Sequence, residues 1–189
     1  MAQWIIIGIV VAAAIYMIVA YNSLVRMRNE VDNSWRQIDV QLKRRHDLIP
    51  NLVETVKGYM QFERDTLTSV VEARNRAISA PTQGARLEAE NQLTAGLGRL
   101  LAVMENYPQL KSDQNALQLQ EQLTTTENQI SFSRQAYNDA VMQYNTRIET
   151  FPANMIAGGF GFAPADYFKA AAEDQALPKV DLSLGGPRP

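Results

Sequence analysis

Arg44-Arg45-His46-Asp47 is the densest group of side chains able to do chemistry in this chain of 189 residues. His46 is the only histidine, and a histidine beside a carboxylate can act as a general base with an orienting partner. The rest of such a site is missing: no Ser, Thr or Cys elbow accompanies it, and no HExxH spacing is present. The chain has no cysteine, which excludes disulfides, thiolate metal sites and cysteine nucleophiles. Gly158-Gly159-Phe160-Gly161-Phe162 is glycine-rich but has no following Lys-Ser/Thr, so it is no phosphate cradle. The expectation is a chain that is not an enzyme, with no catalytic, cofactor-binding or metal-ligating residue. His46 reads as a surface residue at a helix bend. Arg44, Arg45, His46 and Asp47 read either as an interaction site or as an ordinary solvated charged stretch.

The elements that would carry this block begin with an apolar run. Residues 1–25 have no charged side chain, and Trp4 to Tyr21 is one apolar segment. As a helix, roughly 18 residues rise about 27 Å, close to the hydrocarbon thickness of a bilayer. Aromatic residues at both ends suit the two membrane–water interfaces. Residues 1–22 are predicted to form a single transmembrane anchor. Trp4, Ile5, Ile6, Ile7, Ile9, Val10, Val11, Ile15, Met17, Ile18 and Val19 are its lipid-facing residues. A cleavable signal would need a basic start and a small-residue cleavage site, and Met1-Ala2-Gln3 has no Lys or Arg. A buried core helix is the other rival, but a helix apolar all round over this length is rarely soluble. Arg26, Arg28 and Arg36 follow the run, whereas no basic residue precedes it. The positive-inside rule then predicts a single-pass protein of the cell inner membrane, with the N-terminus outside and the body cytoplasmic.

Net charge is −2, so the basic footprint expected of a nucleic-acid binder is absent. From Arg26 to Ser79 there are 10 basic and 8 acidic residues, and from Ala80 onward 8 and 12. That asymmetry is too weak for a lipid-binding patch. Residues 23–173 are long enough for one domain.

The body reads as long amphipathic helices. Leu24, Met27, Val31, Trp35, Ile38 and Leu42 share one helical face, and Arg45 stands where the next apolar residue belongs. No breaker precedes Pro50, so anchor and first helix can form one rod from about Trp4 to Leu48. Pro50 cannot donate to the preceding turn, so it either kinks the rod or starts a new helix. The pattern resumes at Leu52 and ends near Ala80-Pro81. A loop over 80–84 and a helix from about Arg86 to Asn106 follow. Gly96 and Gly98 weaken that helix and permit close helix approach.

A fourth helix runs from an N-cap at Ser112 to about Thr150. Leu123, Ile130, Tyr137 and Tyr144 recur every seven residues, with Val141 and Ile148 on the adjacent seam, a bundle signature. Glu127 and Arg134 interrupt the second seam, and Asn138 and Asn145 lie one residue further on. These four are candidate buried polar residues. Glu127 and Arg134 read either as a buried ion-pair network or, more simply, as charges that reach the bundle rim. Phe160 and Phe162 fold back onto the bundle or, alternatively, form an exposed apolar loop that meets a membrane or another subunit. A short helix is expected near Pro164 to Glu173. The tail, 174–189, is expected to be partly disordered.

Four stretches carry a resemblance: YNSLVRMRNEVDNSWRQIDVQLKRRHDLIPNLVETVKGYMQFERDTL, GRLLAVMENYPQL, TTTENQISFSRQAYNDAVMQYN and TFPANMIAGGFGF. They resemble the LemA family of bacterial membrane proteins over nearly the whole chain after the anchor. The resemblance implies a short N-terminal transmembrane helix and an antiparallel bundle of long helices, and it implies no enzyme activity. It extends to a magnetosome membrane protein tied to membrane compartment formation, and the family is linked with a membrane-bound metalloprotease in some bacteria. What carries over is structural: Arg45, Asp47, Pro50 and Asn51 at the bend, and Glu127, Asn128, Arg134, Tyr137 and Asn138 in the last long helix. His46 stands where the family often has Tyr, and Phe62 where it often has His, which argues further against histidine chemistry.

The reading is therefore all-α: one transmembrane helix, then an up-down, four-helix-bundle-like domain. The function expected is a non-enzymatic, membrane-anchored scaffold that self-assembles or organises membrane. The alternative is an adaptor or regulator of another membrane protein such as a membrane-bound metalloprotease. An enzyme of unrecognised type is the third class. Expected partners are the lipid bilayer, further copies of the chain as a homo-oligomer, and a membrane protein, with no nucleic acid and no cofactor.

Overall fold

A computed structural model describes residues 1–168, and all regular structure among them is helical. The first helix, α1, runs from Ala2 to Lys57 without interruption. Its 56 residues rise about 84 Å. Residues 2–19 are exposed on every side, and Ala20 is the first buried residue. The same helix therefore changes from an all-round apolar rod to an amphipathic bundle helix at about Ala20.

Pro50 lies inside α1, neither ending it nor starting a new helix. The amide it lacks would have donated to the carbonyl of His46. Arg74 Nε donates to that carbonyl instead, at 2.7 Å. The break falls at Gly58–Glu63, where Met60 plugs the turn, fully buried. α2 (Arg64–Ser79) then runs back along α1. After a three-residue loop, Thr82 caps α3 (Gln83–Met104) by accepting from the Ala85 amide at 3.2 Å. Gly96 faces Val70 of α2 at ordinary contact distance, and Gly98 faces open space. A side chain would therefore fit at either position, and neither glycine is needed for helix approach.

Asp113, rather than Ser112, caps α4 (Gln114–Glu149): its Oδ1 accepts from the Asn115 and Ala116 amides. Its other oxygen, Oδ2, accepts from Tyr59 Oη at 3.0 Å, which ties the start of α4 to the far end of α1. The backbone bonds hold the Asp113 carboxyl below its ordinary range, helped by the Tyr59 bond. α5 (Ala153–Phe160) follows, a helix where a loop was expected. Gly161 ends it in the left-handed conformation, φ 71°, and the Phe162 amide reaches the Ala157 carbonyl at 3.0 Å. That is a Schellman closure, which favours glycine.

The helices run up, down, up, down, but the bundle is not uniform. Its distal core uses all four long helices, for example Ile49 and Leu52 (α1), Val70 (α2), Leu97 (α3) and Leu123 (α4). The core nearer the apolar run joins α1 mainly to α4 and α5, with Leu24, Val31, Ile38, Tyr137, Val141, Tyr144 and Ile156. Residues 164–168 are not helical. The rest of the short helix expected to Glu173, and the tail, lie outside the described residues.

Candidate functional site

Three charged side chains fall on the apolar rows of three different helices. On α1, Arg45 continues the row of Leu24, Val31 and Ile38 at seven-residue steps. On α3, Glu90 lies between Leu87 and Leu93. On α4, Glu127 precedes Val141 and Ile148 on one seam. The bundle brings all three together at the boundary between its two cores. Arg45 and Glu90 are fully buried and ion-paired, and Glu127 is 23% exposed. Arg45 Nη1 donates to Glu127 Oε1 at 2.7 Å, to its Oε2 at 3.0 Å and to Thr94 Oγ1 at 2.8 Å. His46 Nε2 lies 3.0 Å from the second Glu90 oxygen. Arg86, paired with Asp39, approaches the same oxygen at 3.9 Å.

Burial alone would push the Glu90 carboxyl upward. The His46 contact and the Arg45 charge outweigh it and hold the group below its ordinary value. A guanidinium between two carboxylates, largely shut from water, is costly to assemble and more costly to break. It links α1, α3 and α4 at one level of the bundle. Glu127 thus meets Arg45, while the Arg134 guanidinium lies over the Phe168 ring, 4.1 Å from its centre.

The tetrad RRHD divides across the helix. Arg45 and His46 point inward, whereas Arg44 and Asp47, with Pro50 and Asn51, are exposed on the other side. His46 is buried because it shares the inward face with Leu42 and Ile49, so it is not the surface residue its setting beside a bend suggested. The residues that sequence reasoning missed are Glu90, Thr94, Arg86 and Arg74. The first had a visible signal, a lone acid at core spacing.

The other polar candidates act elsewhere. Asn145 pairs both halves of its amide with the backbone of Ala165: Nδ2 donates to the carbonyl at 3.0 Å and Oδ1 accepts the N–H at 2.9 Å. Asn138 does the same to Phe168, at 2.9 and 2.8 Å. Tyr144 and Tyr137 donate to the carbonyls of Ala163 and Asp166. Seven helical residues rise about 10.5 Å, and three extended residues span nearly the same length. The seven-residue repeat on α4 therefore matches a three-residue repeat on the extended strap, and the contacts read its backbone.

The strap starts where α5 meets α1. Tyr21 contacts the rings of both Phe160 and Phe162 edge-on, with centroids 5.0 and 5.7 Å away. Phe162 is half-buried against the near core, while Phe160 remains 58% exposed. Trp4, Ile5, Ile6, Ile7, Ile9, Val10, Val11, Ile15, Met17, Ile18 and Val19 are all exposed. An open groove of about 980 Å³ lies at the distal turn, lined by Val53, Lys57, Met60, Arg64, Leu67 and neighbours. No cluster of His, Asp and Glu among the described residues could hold a metal ion.

A model of the LemA family matches residues 34–182, a span that starts beyond the exposed apolar run and includes the ionic layer and the strap. This chain belongs to the LemA family. It is similar to Protein LemA of Metamycoplasma hominis, 28% identical over 137 residues, 72% of this chain and 63% of that protein. It therefore spans less than two thirds of that relative's length. Magnetosome protein MamQ 2 of Paramagnetospirillum magneticum is 26% identical over 186 residues, 85% of this chain and 68% of its own. Magnetosome protein MamQ of Magnetospirillum gryphiswaldense is 23% identical, with 80% and 65% covered. In this LemA-family chain the N-terminal helix is long and apolar enough to cross a membrane, consistent with membrane anchoring.

Proposed function

We propose that this LemA-family protein is a non-enzymatic scaffold held by a single transmembrane helix, with its bundle in the cytoplasm and its N-terminus outside. The observation that carries the reading is the continuity of α1: the rod that exposes Ile5 to Val19 becomes, without a joint, the central helix of the bundle. An apolar rod exposed on every side is costly in water and favourable in the hydrocarbon of a bilayer. Arg26 and Arg28, both exposed just past its end, support the cytoplasmic side. Val40 and Met142 are large apolar side chains left exposed on the bundle. They support self-assembly as the means of scaffolding.

The absence of cysteine makes the test direct. Ala2→Cys and Pro189→Cys variants are labelled in intact cells with a membrane-impermeant thiol reagent. Labelling at 2 and protection at 189 is the expected result; labelling at 189 would overturn the topology. Size measurement in detergent then tests scaffolding. A defined assembly is expected, and a monomer that captures one partner protein would favour the adaptor reading.

A further inference from the structure

We propose that α5 and its flanking residues lie in the headgroup–acyl boundary of the bilayer, as a second lipid contact beside the anchor. This rests on the membrane-anchored reading above. Three independent observations support it.

The first is position. Ala20, the first buried residue of α1, shares one core cluster with Ile156 and Ala157 of α5. Tyr21 touches Phe160. α5 is therefore fixed at the level where the exposed apolar rod ends and the bundle begins. The second is orientation. With Ile156 and Ala157 turned inward, α5 leaves Met155 71% and Phe160 58% exposed, and Phe151 just before it 74%. The third is charge. Thr150 to Ala165 is the longest stretch without a charged side chain outside the N-terminal run, bounded by Glu149 and Asp166. A helix that exposes apolar side chains and carries no charge has no charged group to desolvate on entering the acyl boundary, where burial of that apolar surface is favourable.

Lipid is the occupant the geometry favours over a second copy of the chain. The exposed face of α5 is continuous, through the Tyr21–Phe160 contact, with the apolar surface of residues 4–19 that lipid would already cover. Arg26 and Arg28 lie one to two turns beyond Tyr21 and are exposed, at the height where lipid phosphates would pair with them.

The test uses the full chain in vesicles of phosphatidylethanolamine and phosphatidylglycerol. Single-cysteine variants Ile9→Cys, Met155→Cys, Phe160→Cys and Phe132→Cys carry a nitroxide label. Position 132 is an exposed apolar control 16 residues before Ile148 on α4, about 24 Å along the helix. Collisions with oxygen, which concentrates in the acyl region, are compared with those of a water-soluble nickel complex. The ratio is expected to be highest at 9, several-fold higher at 155 and 160 than at 132, and aqueous at 132. A membrane value at 9 with aqueous values at 155 and 160 would overturn this inference and leave the anchor intact. Low access to both reagents at 155, with label–label broadening, would put a second copy there and also overturn it. An aqueous value at 9 would remove the anchor and this inference together.

Discussion

Arg74 Nε sits 2.7 Å from the carbonyl oxygen of His46, the acceptor that Pro50 leaves without its helical donor. A side chain of α2 thus completes the hydrogen bonding of α1 and lets it run seven residues past the proline, to Lys57.

Arg74→Ala is expected to destabilise the bundle by about 1–3 kcal/mol, because the part-buried His46 carbonyl loses a charged donor. In a Pro50→Ala background the backbone amide returns, and the same change should cost less. Urea unfolding of the four proteins in detergent checks this. Equal losses in both backgrounds would refute the compensation.

The ionic layer makes a second expectation. Arg45→Leu removes the cation shared by Glu90 and Glu127 and should cost about 3 kcal/mol. Arg45→Leu combined with Glu90→Leu and Glu127→Leu should recover most of that loss. The urea midpoints of the single and triple variants read it.

Glu90 gives a pH dependence with a definite sign. Its folded carboxyl is held below the ordinary 4.5, so its ionised form is favoured by the fold. The resulting stability is present above that value and is lost as pH falls through the lower folded pKa. The stability gap between the wild-type protein and Glu90→Gln should therefore close as pH falls below 4.5. Melting temperatures across that range measure it.

The Asn ladder should be separable rung by rung. Asn145→Ala should raise amide exchange at Ala165, and Asn138→Ala at Phe168, because each amide loses its acceptor. Each substitution should also cost about 1–3 kcal/mol. Hydrogen exchange by mass spectrometry resolves the two ends of the strap.

How far the sequence spoke depended on whether a residue's partner lay on its own helix. The seven-residue row Leu123, Ile130, Tyr137 and Tyr144 was legible because periodicity needs one helix only, and all four are buried. Arg45 was legible as an intruder in an apolar row, but Glu90 and Thr94 were not legible as its partners. That pairing depends on the register between helices, which the pattern on any single helix does not contain. Pro50 left open a kink or a new helix because its compensation comes from Arg74, 24 residues away in the chain. Asn138 and Asn145 stood out by their spacing. Their partner is the backbone of an extended strap, which has no side-chain signature, so the clamp stayed hidden. α5 looked like a loop because Gly158 and Gly159 are poor helix formers, and packing of Ile156 and Ala157 on α1 overrides them.

The unbroken α1 also makes the protein a lever. From Ala20 to Lys57 the helix extends about 56 Å past the apolar rod. Transmembrane helices tilt by about 20° on average, and more when the bilayer is thin. With no joint between span and bundle, a change of that size at the anchor swings the distal turn sideways by about 19 Å. Bilayer thickness would thereby set how far the distal groove swings from the membrane normal.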